Sequence, residues 1–542
     1  MKRYCLAIIL LLSNITYAQD LEDAWVYFLD KPQSSFYLQN PDQMLSPRAI
    51  QRRVQQNISY DIKDVPVDAA YLSQIQAASG IEVKATSKWH NAVHIRGTLE
   101  NIQQLGNFSF VSTIVYANHS WNNQQNTAVL STIKNEKKKG KNLQQPQINY
   151  NYGNSFLQSE MLNVPFLHSN NFTGENKVIA IMDSGFLGVN TTAPFQYIQN
   201  QNLIAGTYDF VHRTENVYTS HNHGTMVLSA IAGMAENQLI GTAPNALFYL
   251  FITEDIESEN PVEESYWVEA LEKADSLGVD IVNTSLGYFS YDNPSYSYNN
   301  NQINGTSFSS VAADIAFSKG MICVVSAGNS GNTANPTIGV PSDATTALAI
   351  GSVDNTEQRS SFSSIGPTSD GRIKPDLMAM GTATIVANQT GTISPGNGTS
   401  FSAPIVSGAI ASLWSAFPEM TNEEIINIVK ASADRYANPD NYYGYGIPDF
   451  MQAYHQVLSV KKQKESVFCL YPNPFSEALF FSCEKEVGNT IFEMYNLQGQ
   501  KVYENTQWIP DTALNLSFLE KGIYWYVLKN ATAIQQGKLI KQ

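Results

Sequence analysis

An aspartate, a histidine and a serine with complementary chemistry each stand among small residues in this 542-residue chain. Asp183 lies in Asp-Ser-Gly, His223 in His-Gly-Thr and Ser400 in Gly-Thr-Ser. A serine hydroxyl is a poor nucleophile at neutral pH, so an imidazole must take its proton during attack. A carboxylate bonded to the far ring nitrogen fixes the tautomer and stabilises the imidazolium. The three residues are therefore candidates for an activated serine nucleophile.

Buried strands and helix starts are predicted beside these residues. Residues 177–182 form a short apolar run rich in β-branched side chains. This run predicts a buried strand ending at Asp183, where open α/β sheets place their chemistry. Apolar residues recur at helical spacing after His223, and residues 403–417 predict another apolar helix. His223 and Ser400 are therefore expected at helix N-termini, where the helix dipole favours negative charge.

Two residues near Ser400 predict how its helix begins. Gly398 allows a tight approach of the backbone. Pro404 is expected in the first turn of the helix, where a missing N–H costs little.

The order aspartate, histidine, serine along the chain is the order of the subtilisin fold. The segments around all three residues resemble the subtilisin-like serine proteases, or subtilases, and the resemblance extends over residues 150–454. It implies that Asn329, in an Ala-Gly-Asn segment after the apolar run 321–325, donates its side-chain amide to the oxyanion. The backbone N–H of Ser400 would be the second donor.

The resemblance also implies where a substrate binds. A Ser-Leu-Gly segment follows residues 279–283, and in subtilases such a segment is an exposed strand edge that pairs with the substrate main chain. Substrate contacts are expected at Ser285, Leu286, Gly287 and Gly328.

The resemblance predicts an α/β protein with the three-layer subtilisin-like fold and a mostly parallel sheet. It implies a secreted serine endopeptidase that hydrolyses peptide bonds in extracellular proteins through an acyl-enzyme intermediate. The alternative is a catalytically silent surface binding or adhesion protein on the same scaffold. The joint presence of the three candidate residues and Asn329 favours the enzyme, because a silent protein has little reason to keep all four.

Structural interpretations compete at several positions. Each short motif by itself is typical of a turn or loop. His221 and His223 form a His-x-His pair, but no third ligand lies nearby in sequence, so we predict no metal site there. Cys323 is interpreted as an apolar filler rather than a second nucleophile. Structural or solvated roles are expected for Asp280, Asp314 and Asp376.

Composition and the N-terminus indicate the compartment. The net charge of −15 argues against nucleic-acid binding, which needs basic patches. Residues 1–18 combine two basic residues, a short apolar run and a small-residue cleavage site, as in a signal peptide. No later stretch is apolar over about twenty residues, so no membrane span is expected in the mature form. Cys469 and Cys483 flank a turn, and whether they pair is left open.

Residues 19–117 alternate predicted strands and helices, and Ser46-Pro47 marks one helix start. This pattern resembles the ferredoxin-like βαββαβ inhibitory propeptides of subtilases. In that family such a domain templates folding and blocks the substrate edge until it is cut away. An ordinary accessory domain is the alternative. Residues 118–149, rich in Asn, Gln and Lys, predict a disordered linker, and we expect maturation cleavage within 118–150.

The C-terminal region carries a second resemblance. Tyr-Pro-Asn-Pro at 471–474, terminal Lys-Leu-Ile-Lys at 538–541 and short alternating strands predict a β-sandwich of roughly seven strands. The pattern resembles the sorting domain of proteins exported by the type IX secretion system of Bacteroidota, which implies the type IX export machinery as a partner. A carbohydrate-binding or adhesive domain is the alternative. The expected domains are 1–18, 19–117, 118–149, 150–455, 456–466 (a linker) and 467–542.

Residues 253–267 are strongly acidic, in a way that looks typical of Bacteroidota subtilases. We favour a solvated loop and helix start for this stretch, with a cation site or a specificity wall beside the substrate edge as the alternative. No cofactor is required by the expected chemistry. Calcium is left unassigned, because residues 236–240 match the calcium-binding loop of subtilisin poorly, although loops such as 291–304 carry suitable oxygens.

Overall fold

The computed structural model of the chain describes residues 21–122, 149–464, 468–483, 490–529 and 534–542. The chain divides into two compact units, with the boundary between Ala453 and Tyr454. The expected signal peptide and most of the expected linker 118–149 lie outside the described ranges. Within those ranges no helix combines the length and the apolar character needed to cross a bilayer.

The N-terminal elements are β1 (Leu21–Phe28), α1 (Ser34–Gln39), α2 (Pro47–Gln55), α3 (Ala69–Gln76), β2 (Ile81–Ser87), β3 (Ala92–Thr98), α4 (Leu99–Gln104) and β4 (Val111–Tyr116). The four strands form an antiparallel sheet in the order β2-β3-β1-β4, as in a ferredoxin-like unit. Ile75 of α3 and Ile102 of α4 pack with Val26 and Ile95 of the sheet. Ser46 caps α2 by accepting a hydrogen bond from the Ala49 N–H, as its sequence position predicts.

The middle of the chain contains eleven described strands: β5 (Val178–Asp183), β6 (Ile204–Asp209), β7 (Met234–Ala235), β8 (Leu239–Ile240), β9 (Leu247–Ile252), β10 (Ile281–Thr284), β11 (Ile322–Ser326), β12 (Leu348–Val353), β13 (Leu377–Met380), β14 (Thr384–Ala387) and β15 (Ile393–Gly396). Seven of them form a parallel sheet in the order β13-β12-β11-β10-β5-β9-β6. This sheet confirms the predicted mostly parallel α/β fold.

The described helices of this region are α5 (Phe156–Glu160), α6 (Val164–Ser169), α7 (Gln196–Asn200), α8 (His223–Ala232), α9 (Val262–Leu277), α10 (Phe308–Ser318), α11 (Thr399–Ala416) and α12 (Asn422–Ala431). Of these, α8, α9, α10 and α11 pack against strands of the sheet. Val178, Ala180 and Met182 of β5 pack in one cluster with α9 and α10. Because side chains alternate along a strand, Asp183 points to the opposite face, where α8 and α11 pack against β5.

The N-terminal domain, which contains β1 to β4, contacts α9 and the end of α10 through buried charges. Arg53 of α2 donates to both carboxylate oxygens of Asp275 at 2.9 Å and to Asp64 at 2.9 Å. Lys319, which follows α10, donates to Asp64 at 2.9 Å. Buried ions are tolerated when they are paired, so this network fixes which surfaces meet.

The N-terminal domain stays folded through its last described residues, 117–122. A 3₁₀ turn spans His119–Trp121, and the His119 ring hydrogen-bonds the Tyr296 carbonyl at 2.9 Å. Ala117 is buried in one apolar cluster with Tyr288 and Ala327. The first residues of the expected linker 118–149 are therefore ordered, because these contacts hold them.

The C-terminal elements are α13 (Phe450–Lys464), β16 (Phe468–Tyr471), β17 (Ala478–Cys483), β18 (Thr490–Tyr495), β19 (Lys501–Trp508), β20 (Leu514–Asn515), β21 (Gly522–Lys529) and β22 (Ile534–Lys541). The expected linker 456–466 is helical as far as Lys464, where α13 ends, because residues 454–464 contain neither Gly nor Pro to stop the helix.

The seven C-terminal strands form two sheets, β16-β17-β20 and β19-β18-β21-β22, around a shared apolar core. Alternate residues such as Phe492 and Met494 are buried in it. This arrangement confirms the predicted small β-sandwich. Cys469 is a free, exposed thiol that pairs in register with Ser482, so a bridge to Cys483 is absent from this structure.

Candidate active site

Asp183 and His223 meet at the carboxyl edge of the parallel sheet. The side chain of Asp183, the last residue of β5, is fully buried, and its Oδ1 lies 2.8 Å from His223 Nδ1. Oδ1 also accepts the N–H and the hydroxyl of Ser184 at 2.8 and 3.2 Å. The far nitrogen of His223, Nε2, is left toward the cleft. This is the geometry that fixes one imidazole tautomer.

Close packing of α8 sets the position of His223, its first residue. A Cβ on Gly224 would come within 2.6 Å of the Gly185 carbonyl and 2.9 Å of Asp183 Cβ. Only glycine fits there, so the His-Gly-Thr motif lets the start of α8 approach the end of β5.

The charge of Asp183 also sets the basicity of His223. Burial of the imidazole works to lower its pKa, but the negative charge of Asp183, their hydrogen bond and the charge of Glu254 outweigh burial. The pKa of His223 therefore lies above its ordinary value of 6.5.

Ser400 is the second residue of α11, which begins after Gly398 with φ at +150°. Its hydroxyl donates to the Ser285 carbonyl at 3.1 Å, while the Ser285 hydroxyl donates to the Ser400 carbonyl at 2.9 Å. Within the described residues Ser400 makes no hydrogen bond to His223. The His223 ring lies 6.1 Å, between centroids, from the ring of Phe401, so the imidazole stands beside the start of α11.

The expectation that Pro404 lies in the first turn of its helix is wrong. Because α11 begins at Thr399, Pro404 is its sixth residue, in the second turn. Its missing N–H would have bonded the carbonyl of Ser400, four residues back. The Ser285 hydroxyl donates to the Ser400 carbonyl instead. Pro404 and Ser285 are therefore coupled through the backbone of Ser400.

Thr399 orients Asn329. Its N–H and its hydroxyl both donate to Asn329 Oδ1 at 3.0 Å, which leaves the amide Nδ2 free to point into the cleft. The Thr399 hydroxyl also accepts the N–H of Gly328 at 3.3 Å. The sequence signal for Thr399 is its place in Gly-Thr-Ser, directly before Ser400, but that spacing does not indicate its bond to Asn329.

A cavity of about 180 Å³ opens beside Ser400. No charged side chain lines it. All four expected substrate contacts and Asn329 border it: Ser285, Leu286, Gly287, Gly328 and Asn329. Gly287 is exposed, so its backbone is open to an extended peptide.

The other residues weighed from the sequence are structural. Asp376 is buried between Lys374 and Lys430, at 2.7 and 2.6 Å. Asp280 accepts the Val178 N–H at 2.9 Å, and Asp314 accepts the Thr346 N–H at 2.8 Å. Cys323 is buried, and burial raises the pKa of its thiol.

Metal ligation finds no support at the paired histidines. His221 Nδ1 lies 3.3 Å from both Ser184 Oγ and the His223 N–H. Among the residues for which a structure is described, no group of three or more His, Cys, Asp or Glu is placed to hold a metal ion.

Family models match three parts of the chain. The subtilase family model covers residues 174–446, which is half of the sequence. The chain is a subtilase. A Bacteroidota subtilase propeptide domain matches residues 23–133, and a secretion system C-terminal sorting domain matches residues 469–542.

Relatives agree with this assignment. Subtilisin NAT of Bacillus subtilis subsp. natto is 30% identical over 289 residues, which cover 53% of this subtilase and 68% of that protein. Subtilisin of Bacillus pumilus is 29% identical over 289 residues, covering 53% and 94%. Among solved structures, MycP1 from Mycobacterium smegmatis covers 58% of this chain and 89% of its own, at 22% identity and a TM-score of 0.43.

The subtilase is a secreted serine-type endopeptidase that acts on protein substrates. Its type IX sorting domain directs export to the cell surface or the extracellular space. The alternatives of a silent adhesion protein, an accessory N-terminal domain and a carbohydrate-binding C-terminal domain are therefore set aside.

The Ser285 hydroxyl should stabilise the fold because it donates a hydrogen bond to the Ser400 carbonyl, which Pro404 cannot do. Ser285→Ala is expected to cost about 1–3 kcal/mol, the penalty for an unpaired buried acceptor. Adding Pro404→Ala restores an N–H and should recover part of the loss. Apparent Tm values measured in a Ser400→Ala background, which prevents self-digestion, give the coupling. Ser290→Ala, at an exposed site, is the control. Strictly additive effects of the two changes would contradict this account.

On the acid side, kcat/KM should fall at a pH above the ordinary pKa of histidine. A general base must be neutral, so kcat/KM should fall as pH drops through the raised pKa of His223, with a midpoint above 6.5. The rate of fluorophosphonate labelling should show the same midpoint, because it needs the same base. A midpoint at or below 6.5 in both measurements would mean that Asp183 does not stabilise the imidazolium.

Proposed function

We propose that the subtilase cleaves peptide bonds with Ser400 as nucleophile, His223 as general base and Asp183 as the carboxylate that orients His223. The observation that supports this most is the 2.8 Å hydrogen bond between Asp183 and His223, beside the N-terminus of the helix that carries Ser400.

Protons move between Ser400, His223 and the substrate during the proposed reaction. The Ser400 hydroxyl turns from the Ser285 carbonyl toward His223, and Nε2 takes its proton as Oγ attacks the peptide carbon. Asn329 Nδ2 and the Ser400 N–H donate to the oxyanion. The imidazolium then protonates the departing amine, which leaves an acyl-enzyme. A water molecule, deprotonated by His223 Nε2, attacks the ester carbon. The imidazolium then returns that proton to Ser400 Oγ as the bond between Oγ and the acyl carbon breaks, and the peptide leaves with a new carboxyl group.

Substrate is proposed to bind as an added strand. The backbone of residues 285–287 pairs with the peptide, and Gly328 forms the facing wall. Main-chain pairing tolerates many sequences. The side chain before the scissile bond enters the 180 Å³ cavity, whose uncharged lining favours an uncharged residue.

We assign no calcium ion to the described residues, since the candidate loops do not fit one. Glu236 and Asn237 use side-chain oxygens to bind Asn151. In residues 291–304, the side-chain oxygens of Asn293 and Asn299 accept hydrogen bonds from the backbone two residues on. Oxygens used this way do not converge on a cation.

The N-terminal domain is proposed to act as the inhibitory propeptide, and the domain boundaries expected above are proposed with it. Ala117 supports this role, because it packs with Tyr288 and Ala327, which line the cavity beside Ser400. The signal peptide, propeptide and sorting domain would all be absent from the mature enzyme.

Ser400→Ala should lower kcat by about 10⁶-fold, the magnitude known for loss of the nucleophile in a subtilisin. Asn329→Ala should lose about 10²–10³-fold, because one oxyanion donor remains. Fluorophosphonate labelling should disappear only in the first variant. Thr399→Ser, which keeps the hydroxyl, is the control for correct folding around α11. Small and equal losses in the first two variants would contradict the assigned roles.

Maturation cleavage should fall within residues 118–150. N-terminal sequencing of active secreted enzyme is expected to begin there, since the folded contacts of His119 end the propeptide and α5 begins at Phe156. An active enzyme that still begins near residue 19 would contradict this maturation scheme.

A further inference from the structure

Glu254 stands at the same sheet edge as the catalytic residues. Ile252 of β9 pairs in register with Asp183, and the Thr253 N–H donates to the Asp183 carbonyl at 3.1 Å. In the strand order β10-β5-β9, Glu254 therefore lies on one side of Asp183 and Ser285 on the other. The two residues flank the cleft across the end of β5.

One oxygen of Glu254 is used and the other is not. Oε1 accepts the Tyr288 hydroxyl at 2.8 Å and the Thr253 hydroxyl at 2.9 Å. Tyr288 itself lines the cavity that holds Ser400. No hydrogen bond or ion pair to Oε2 occurs within the described parts of the chain. Glu254 is half-buried, so Oε2 is available to a ligand.

Glu254 acts on the imidazole of His223 through its charge. Its negative charge contributes to the raised pKa of His223. Burial in turn raises the pKa of Glu254 itself to about 7, although hydrogen bonds from Tyr288 and Thr253 work to lower it.

The neighbouring acids differ from Glu254 in their partners. Glu263 uses both oxygens to bind the backbone N–H groups of Asp255 and Asn260. Glu264 binds the hydroxyls of Tyr291, Tyr298 and Ser309. Glu263 and Glu264 are fully buried, so the expectation of a solvated loop and helix start is wrong for them. They hold the loop in shape.

Within the described structure, no Lys or Arg side chain pairs with a carboxylate of residues 253–267. Residues 253–267 contain no Lys or Arg, and none of their carboxylates forms an ion pair in the described structure. A carboxylate at the cleft without a protein cation favours a positively charged ligand.

The extended substrate determines which residue meets Glu254. Side chains of a strand alternate between two sides. If the residue before the scissile bond (P1) enters the cavity beside residues 285–287, the preceding residue (P2) points the other way, toward His223 and Glu254.

We propose that Glu254 binds a Lys or Arg side chain at P2, so that the subtilase prefers substrates with a basic residue there. This inference rests on the proposed catalytic role of Ser400 and on substrate pairing with residues 285–287. It favours the specificity wall among the interpretations of the acidic stretch and makes Glu254 the residue that carries it.

The test compares two peptides that differ only at P2, one with lysine and one with norleucine, which lacks the ammonium group. Mature enzyme is assayed at about pH 9, which lies above the pKa of about 7 that burial gives Glu254. Lysine, with a pKa of about 10.4, is still charged at that pH. The kcat/KM ratio of lysine to norleucine is expected to be about 10–100, the range for a hydrogen bond to a charged group.

Glu254→Gln should bring this ratio close to one. Because the ratio is taken within one enzyme, any change in the basicity of His223 cancels. Glu257→Gln removes the same charge from an exposed position in the same loop and should leave the ratio unchanged. Fluorophosphonate labelling of each variant checks that the catalytic residues are assembled.

Three results would overturn the proposal: a ratio near one in the unmodified enzyme, an equal fall in both variants, or a basic preference confined to another substrate position. Failure of the proposed catalytic roles would look different, because Ser400→Ala would then retain labelling and activity on both peptides.

Discussion

The site depends on one buried carboxylate at the end of a parallel strand. Asp183 is buried away from water, and hydrogen bonds from Ser184 and His223 satisfy its Oδ1, while its buried Oδ2 has no hydrogen-bond partner among the described residues. The cost of burying this charge is offset only while the imidazole stays in place. The same pair therefore orients His223 and raises its pKa. Because parallel strands end at one edge, Ser285 and Asn329, which follow β10 and β11, reach the same cleft.

A second set of contacts holds the residues that face Asp183 and His223. Pro404 leaves the Ser400 carbonyl free, and the Ser285 hydroxyl binds it. Thr399 holds the oxygen of Asn329 so that its amide hydrogens face outward. Ser285, Ser400 and Asn329, the residues proposed as substrate edge, nucleophile and oxyanion donor, are thus held through the first turns of α11. Such preorganisation lets the donors meet developing charge without moving.

The N-terminal domain contacts the catalytic domain in two areas, one with buried charges and one that is apolar. Its attachment to α9 and α10 includes buried ion pairs, Arg53 with Asp275 and Lys319 with Asp64, and Ala85 and Trp89 pack in one apolar cluster with these helices. Its far end is apolar, where Ala117 joins the residues beside the cavity. Release would return Asp275 and Lys319 to water, where each is solvated without a partner.

The sequence by itself determined the parallel fold, the three-domain plan and the identity of the candidate site residues. It could do so because short motifs such as His-Gly-Thr and Gly-Thr-Ser reflect the small residues that a close approach of the backbone requires. Apolar periodicity likewise indicates buried strands and helices. It did not determine the partners of Pro404, the role of Thr399 or the difference between Glu254 and Glu263. Those depend on side chains from β9, β10 and α11 that are distant along the chain. Only the packing at the edge of the sheet decides that both carboxylate oxygens of Glu263 accept hydrogen bonds, whereas only Oε1 of Glu254 does so among the described residues.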